Sequence, residues 1–390
     1  MRLPRSCLWL IVALCLLAQL WMWQNDGSAP PPPSVSSAPP VTAAVAAAPL
    51  PVDVAVASPP PPPPPPPRAA STAAASTAAA APTLADADCA PGGLVHVLVG
   101  ADRTHWPGVV GVINSVTRNC ASPARLRLHL VVLLGEEGAF RRFLRCHGLE
   151  ADGERLTIHG FDKARLPALK VQAHLTNLES PLNFARFYMG ELLGPGVCKV
   201  LYLDADVIVQ GDAAELTDLA LPRGALCAAT LRKNTLGVKG VQGLKGEKLQ
   251  ARFESRYGRP LPLEEHGFNA GVFVYNLRRW AALNLTEEAE YWIEANTREK
   301  LYQLGSQPPL TLSVLGRHGR CQELPAAWHL DCLGCIGQGR IKTAAQLADA
   351  KLLHWNGPNK PFPTAKGKRA HAELFEPYAG KGAQCKPGGG

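Results

Sequence analysis

Two aspartates carry the first chemical signal in this chain. Asp204 and Asp206 stand two apart at the end of an oily run, in the stretch LYLDADVIVQGD from Leu201 to Asp212. Burying a carboxylate without a partner costs on the order of several kcal/mol. Residues two apart in an extended chain point to the same side, so both carboxylates can reach one point. A D-x-D at a strand end suits a hard divalent cation bridging a diphosphate, and oxygen ligands favour Mg²⁺ or Mn²⁺. A turn with two solvated aspartates explains the pair equally well. A phosphatase of the haloacid dehalogenase type also carries D-x-D, usually followed by Gly-Thr or Gly-Ser; Val207-Ile208 follows here. Asp212 has its own explanation: with Glu215 it forms D-x-x-E, the start of a helix over residues 213–219.

Two later stretches add groups of the right kind. GFNAGVFVYNLRRW, from Gly267 to Trp280, places Asn269, Ala270 and Gly271 ahead of a β-rich run. Small residues let a ligand approach the backbone, and an amide can bond sugar hydroxyls. A plain turn before a strand reads the same way. LLHWNGPNKPF, from Leu352 to Phe362, offers His354 as a metal ligand, Gly357 for close backbone approach and Lys360 as a cation for phosphate. An imidazole beside two carboxylates moves the preference from Mg²⁺ toward Mn²⁺.

The elements that would position these groups follow an alternating rhythm. Residues 94–99 read as a buried strand, 108–118 as a helix, 127–134 as a strand, 136–146 as a helix and 156–159 as a strand. A helix over 183–193 then feeds a strand at 199–203. Such a β-α-β-α-β order predicts an α/β fold, a mostly parallel central sheet with helices on both faces. In such sheets ligands gather at the carboxyl ends of the strands, where Asp204 falls.

The chain of 390 residues divides by composition. Residues 1–6 read as a cytoplasmic tail and 7–23 as a transmembrane signal-anchor. Arg2 and Arg5 precede an apolar run about long enough to cross a bilayer, and Trp21 and Trp23 suit its interface. A cleaved signal peptide is the competing reading. Residues 24–90, rich in Ala and Pro, lack the apolar side chains a core needs and read as a disordered stem. Residues 91–365 form one large globular domain, and 366–390 a basic, Gly-rich tail. The chain's formal charge is +8, and that tail carries five basic against two acidic residues; solvated tail charge of this kind argues against nucleic acid as a partner. Nine cysteines lie beyond the anchor, so all nine cannot pair within one chain. Cys332 and Cys335 form a C-x-x-C with no second pair to complete a zinc site, and a structural or free-thiol role is the better reading. Asn284-Leu285-Thr286 is a glycosylation sequon.

Taken together, RFYMGELL, YLDADVIVQGD, FNAGVFVYNLRRW, GSQPPL and LLHWNGPNKPF make the chain resemble glycosyltransferase family 8, the retaining nucleotide-sugar transferases. It is most similar to the animal glycosyltransferase 8 domain-containing and plant galacturonosyltransferase-like subgroups, from about residue 94 to residue 362. The resemblance implies a glycosyltransferase A-type fold, a UDP-sugar donor and a glycan or glycoconjugate acceptor. It implies Mn²⁺, with Mg²⁺ as the alternative, held by Asp204, Asp206 and His354, with Gly357 and Lys360 at the diphosphate. Ala101, Asp102 and Thr104, in GADRTHW, would meet the uridine; His105 stands where the family often has a stacking Tyr. Arg186 would reach the nucleotide sugar, Ala205 would line the same site, and Asn269, Ala270 and Gly271 would contact the donor sugar. Asp206 and Gln307 would serve catalysis. The family's carboxylate beside that glutamine is absent from Ser306-Gln307-Pro308-Pro309. The implied setting is the Golgi membrane, single-pass type II, with a lumenal catalytic domain.

Other classes compete. A nucleotide-sugar-binding pseudoenzyme or scaffold is supported by the Ser306 departure. A proline-rich structural protein is supported by the stem alone. Arg232 and Lys233 are cation candidates for a uronate donor.

Overall fold

The computed structural model describes Cys89 and residues 91–166, 180–222, 225–238, 244, 246–302, 305–317, 319–335, 342–364, 369–380 and 385. The expected anchor at 7–23 and the stem up to residue 88 lie outside them. Among the described residues no helix is long and apolar enough to cross a membrane.

The four expected strands form within two residues of expectation: β1 (Val95–Gly100), β2 (Leu126–Leu133), β3 (Leu156–Phe161) and β4 (Lys199–Leu203). The β-rich run after Gly271 lies in β7 (His266–Asn276), and the fold adds β5 (Val207–Val209), β6 (Ala225–Thr235), β8 (Arg320–Glu323) and β9 (Leu352–His354). Seven form one sheet in the order β3-β2-β1-β4-β7-β6-β8, and β5 pairs with β9 in a separate ribbon. Pairing in the large sheet is parallel except along β7, which runs against both neighbours. β4 sits between β1 and β7, and all five of its residues are buried, as a strand covered on both faces requires.

The longer helices are α1 (Trp106–Asn119), α2 (Glu137–Cys146), α3 (Glu247–Tyr257), α4 (Leu277–Ala282), α5 (Leu285–Glu299) and α6 (Gln307–Gly316). Val97, Val99, Leu201 and Leu203 pack with Val109, Val112 and Ile113 of α1 on one face. Leu98, Val200, Tyr202, Phe273 and Tyr275 pack with Phe187, Trp280 and Ile293 on the other. Helices thus cover both faces.

Two expectations change. Residues 183–193 are not one helix but Pro181–Phe184, a 3₁₀ turn at Ala185–Phe187, and Met189–Leu193. Every residue from Phe184 to Met189 is buried, whereas a regular helix buries one stripe, so the chain breaks to turn them all inward. The segment read as a tail also joins the domain. Ala370 and Phe375 are buried with Ile208, Trp355 and Phe362, and Cys385 bonds Cys146. Three further disulfides, Cys89–Cys198, Cys227–Cys321 and Cys332–Cys335, leave Cys120 as the buried free thiol among the described residues.

A row of histidines crosses β1, β2 and β3. His96 Nδ1 lies 3.0 Å from His129 Nε2, and His129 Nδ1 lies 3.0 Å from His159 Nε2. Burial, then the flanking His159 and His96 and the Arg127 charge, push His129 down to about 3, and burial depresses His96 and His159 too. Groups depressed in the folded state stay neutral while the unfolded chain takes up protons below about pH 6.5, so stability falls from there toward about 3. We expect the melting temperature to drop between pH 7 and pH 5, and His129→Asn to flatten that slope; a wild-type melt independent of pH over this range contradicts the reading.

Candidate active site

The site forms where β4 ends. Gly100 closes β1 one residue beyond the Val99–Leu203 pair, so Ala101 and Asp204 emerge on the same rim. The Asp204 amide donates to the Gly271 carbonyl at 2.8 Å, which continues the β4–β7 pairing one step past the strand. The β6–β7 register shifts here: Ala229 faces Phe273, but Thr230 faces Asn269. The extra β7 residues, Ala270, Gly271 and Val272, bulge away from β6.

His354 arrives by the β5–β9 ribbon. Val207 pairs with His354, and the Trp355 amide donates to the Asp206 carbonyl at 2.9 Å. That pairing joins residues about 150 apart in the chain. His354 Nε2 lies 3.2 Å from Asp206 Oδ1 and 3.8 Å from Asp204 Oδ2. His354 and Asp206 are buried, and Asp204 is half-buried.

Each aspartate also has a permanent cation. Arg186 Nη2 donates to Asp204 Oδ1 at 3.1 Å and to the Tyr202 hydroxyl at 2.8 Å; its Nη1 donates to the Ala270 carbonyl and its Nε to the Asn183 carbonyl, both at 2.9 Å. Burial alone would lower the guanidinium's pKa, but Tyr202 and Asp204 outweigh it and hold it raised. Arg186 is thus gripped by protein groups and holds Asp204 in place. Lys360 Nζ donates to Asp206 Oδ2 at 2.5 Å and to the Trp355 carbonyl at 3.0 Å. Burial would raise the Asp206 carboxyl; Lys360 and His354 outweigh it and hold it well below the usual range. Paired ions of this kind offset the desolvation that an oily strand end imposes.

The three side chains fit a divalent cation. Asp204, Asp206 and His354 each offer one ligand atom, all within 4.8 Å of one another. Two metal–oxygen bonds of about 2.1 Å placed across one ion give a similar span. His354 Nε2 is buried without a hydrogen-bond partner and faces both carboxylates. Gly271 leaves the space open, since a Cβ there would collide with the His354 ring and the Asp204 carboxylate.

The remaining predicted residues stand around this cluster. Asp102 accepts hydrogen bonds from the Thr104 amide and hydroxyl and meets His105 Nδ1 at 3.0 Å, which closes the turn after β1. Burial pushes its pKa up, and the His105 and Thr104 contacts outweigh it and hold it lowered. Ala205 is packed against Gly108 of α1, where a Cβ would strike the Ala205 carbonyl. Asn269 Oδ1 accepts from the Gly271 amide at 2.9 Å. Gln307, at the start of α6, accepts from the Ala270 amide at 3.3 Å and donates to the Phe268 carbonyl at 2.8 Å. Gly357, at φ +111°, turns the β9 loop against Gly334 and Cys335. Asp212 stands apart, accepting from the Ala214 amide at 3.1 Å ahead of the helix Ala214–Thr217. Arg232 and Lys233 are exposed toward the end of β6.

One buried neighbour carries no mark in the sequence. His329 Nε2 lies 2.7 Å from His354 Nδ1. Burial, then His354 and Arg232, hold His329 well below its ordinary pKa. A lone histidine in AAWHLDC has no spacing that points to a site. Only the pairing of its segment with β9 reveals it.

Known proteins are similar to this chain over most of its length. Residues 96–364 match Glycosyl transferase family 8. The chain is 30% identical over 279 residues to glycosyltransferase 8 domain-containing protein 1 of Danio rerio, covering 69% of this chain and 74% of the relative. It is 28% identical over 297 residues to "Probable galacturonosyltransferase-like 6" of Arabidopsis thaliana, covering 74% and 81%. Among solved structures, the galactosyltransferase LgtC in complex with donor and acceptor sugar analogs superposes with a TM-score of 0.50 at 22% identity, covering 73% of this chain and 95% of that one. That likeness supports the glycosyltransferase A-type fold. With the family match spanning most of its length, the chain belongs to glycosyltransferase family 8.

Proposed function

We propose that the protein transfers a hexosyl or uronosyl group from a UDP-sugar to a glycan or glycoconjugate acceptor, with retention at the anomeric carbon and dependence on Mn²⁺. The observation that carries this reading is the Asp204–Asp206–His354 cluster at the carboxyl end of β4, with the orphaned His354 Nε2 at its centre. A cation held there supplies Lewis-acid stabilisation of the charge growing on the departing diphosphate. Arg186 keeps the Asp204 carboxylate aimed, and Lys360 adds positive charge beside Asp206. Ala101, Asp102 and Thr104 take the uridine on the β1 rim, and Asn269, Ala270 and Gly271 take the donor sugar where the β7 bulge opens. Both ends of the Gln307 amide are bonded to the β7 backbone, so its plane is preset beside the sugar. The acceptor hydroxyl attacks the anomeric carbon on the face that the diphosphate leaves, and its proton passes to the leaving phosphate oxygen. No carboxylate nucleophile is called on, in keeping with Ser306 beside Gln307.

The four disulfides support an oxidising compartment, and with the N-terminal apolar run they favour a type II Golgi membrane protein with a lumenal domain. Asn284 is exposed at the start of α5, open to lumenal glycosylation. The decisive experiment measures hydrolysis of UDP-galactose, UDP-galacturonic acid, UDP-glucose and UDP-xylose by the full chain with Mn²⁺. We expect one donor to turn over at least about tenfold faster than the rest, the discrimination that one or two lost polar contacts produce. Binding of a donor without hydrolysis of any favours the pseudoenzyme.

A further inference from the structure

We propose that His329 is a positioning residue that sets the tautomer of His354 and thereby controls whether the aspartate cluster accepts a cation. The inference rests on the reading of Asp204, Asp206 and His354 as a cation site.

His329 is 6% exposed and His354 1% exposed, and their rings stack with centroids 5.0 Å apart at 20°. The Nε2–Nδ1 separation of 2.7 Å requires one proton shared between two nitrogens. A neutral imidazole has one N–H and one lone pair. With both rings neutral, only two arrangements satisfy the contact. In the first, His329 Nε2–H donates to His354 Nδ1. The His354 proton then sits on Nε2, facing Asp206 Oδ1 at 3.2 Å, and no lone pair is left for a cation. In the second, His354 Nδ1–H donates to His329 Nε2. The His354 Nε2 lone pair then faces both carboxylates, and the His329 proton moves to its Nδ1.

The two rings therefore change tautomer together. Their buried outer nitrogens, His329 Nδ1 and His354 Nε2, both lack a hydrogen-bond partner in the fold. The Asp206 carboxylate at 3.2 Å favours the first arrangement while no cation is bound, and a cation on His354 Nε2 selects the second. Ligating histidines commonly rely on such an outer partner, whose loss typically lowers metal affinity 10–100-fold. The backbone supports the pairing: the His354 amide donates to the Leu330 carbonyl at 3.0 Å, and the Leu330 amide to the Leu352 carbonyl at 2.9 Å. The Cys332–Cys335 bridge closes the same segment, and the Leu333 amide donates to the His354 carbonyl at 3.1 Å.

The test titrates Mn²⁺ into metal-free full chain without donor, by calorimetry, in wild type, His329→Gln, His329→Asn and His329→Leu. A Gln amide reaches the position of Nε2, whereas an Asn amide reaches only that of Nδ1. We expect Kd to rise about 10–100-fold in the Leu and Asn variants and to return to within about threefold of wild type in the Gln variant. ¹⁵N spectra of histidine-labelled wild type should show the His354 proton on Nδ1 once Mg²⁺, the diamagnetic probe, is added. Folding is checked by the melting temperature without metal, and the Gln–Asn contrast survives if the Leu variant fails to fold. Equal Kd across all four proteins, or equal loss in Gln and Asn, overturns the role of His329. Absence of Mn²⁺ binding by wild type at millimolar concentration overturns the cation-site reading instead.

Discussion

Asp206→Asn should reduce Mn²⁺-dependent donor turnover by about three orders of magnitude, while the domain stays folded. The size follows from the several kcal/mol that a bound cation contributes to a departing phosphate, at about 1.4 kcal/mol per tenfold in rate. The change removes one of two charged ligands and leaves His354 Nε2 facing an amide. It also leaves the Lys360 ammonium without its carboxylate, although the Trp355 carbonyl still accepts from it. The fold survives because Asp206 joins the ribbon through its main chain, where its carbonyl accepts the Trp355 amide. Asp212→Asn is the matched control. That aspartate bonds the Ala214 amide, and an asparagine oxygen can do the same, so activity should remain within about twofold of wild type. Steady-state hydrolysis of the preferred UDP-sugar, with and without Mn²⁺, separates the two variants. Full activity in Asp206→Asn would remove the cluster from the mechanism.

Gly271→Ala should cost about a hundredfold in turnover and weaken Mn²⁺ binding, although it adds a single methyl group. The new Cβ would lie 2.5 Å from Asp204 Oδ2 and closer still to the His354 ring. Neither neighbour is free to yield. Asp204 is held by Arg186 and His354 by His329, so relief must come from displacement of the ligands. A misplacement of about 1 Å at a reacting centre can cost about 10²-fold. Backbone conformation is not the obstacle, since Gly271 is not among the glycines with positive φ. Gly196→Ala is the control, as its Cβ would meet nothing within 4 Å. Comparing kcat and Mn²⁺ affinity in the two variants checks the argument; an unimpaired Gly271→Ala would mean that the cluster is looser than the packing implies.

Much of this was legible in the residues alone. The runs that become β1, β2, β3 and β4 are apolar enough to be recognised as buried strands, and their alternation with α1 and α2 specifies a parallel sheet. Asp204 and Asp206 announce themselves because charge inside an oily run demands a partner. Asp212 separates from them through its spacing to Glu215. His354, Gly357 and Lys360 stand out through residue type.

Other features depend on what lies across space. Arg186 could be found in RFYMGELL, but its grip on Asp204, Tyr202 and Ala270 could not, and its inward turn broke the helix expected there. Residues 366–390 look like a solvated tail by composition, yet Phe375 fills the space beside Gly111, and Cys385 reaches Cys146. Cysteine counting required at least one to remain unpaired, while only the fold shows that it is Cys120. His329 is invisible without the β5–β9 ribbon and the segment laid beside it.

The sequence by itself determined the first four strands of the large sheet, their alternation with helices and the chemical types at the site, because periodicity and polarity are local properties of the chain. The tertiary structure decided which cation faces which carboxylate, which histidine supports His354 and where the chain end packs. Those choices depend on strand register across long separations, which is settled only when the apolar faces of distant strands are buried together.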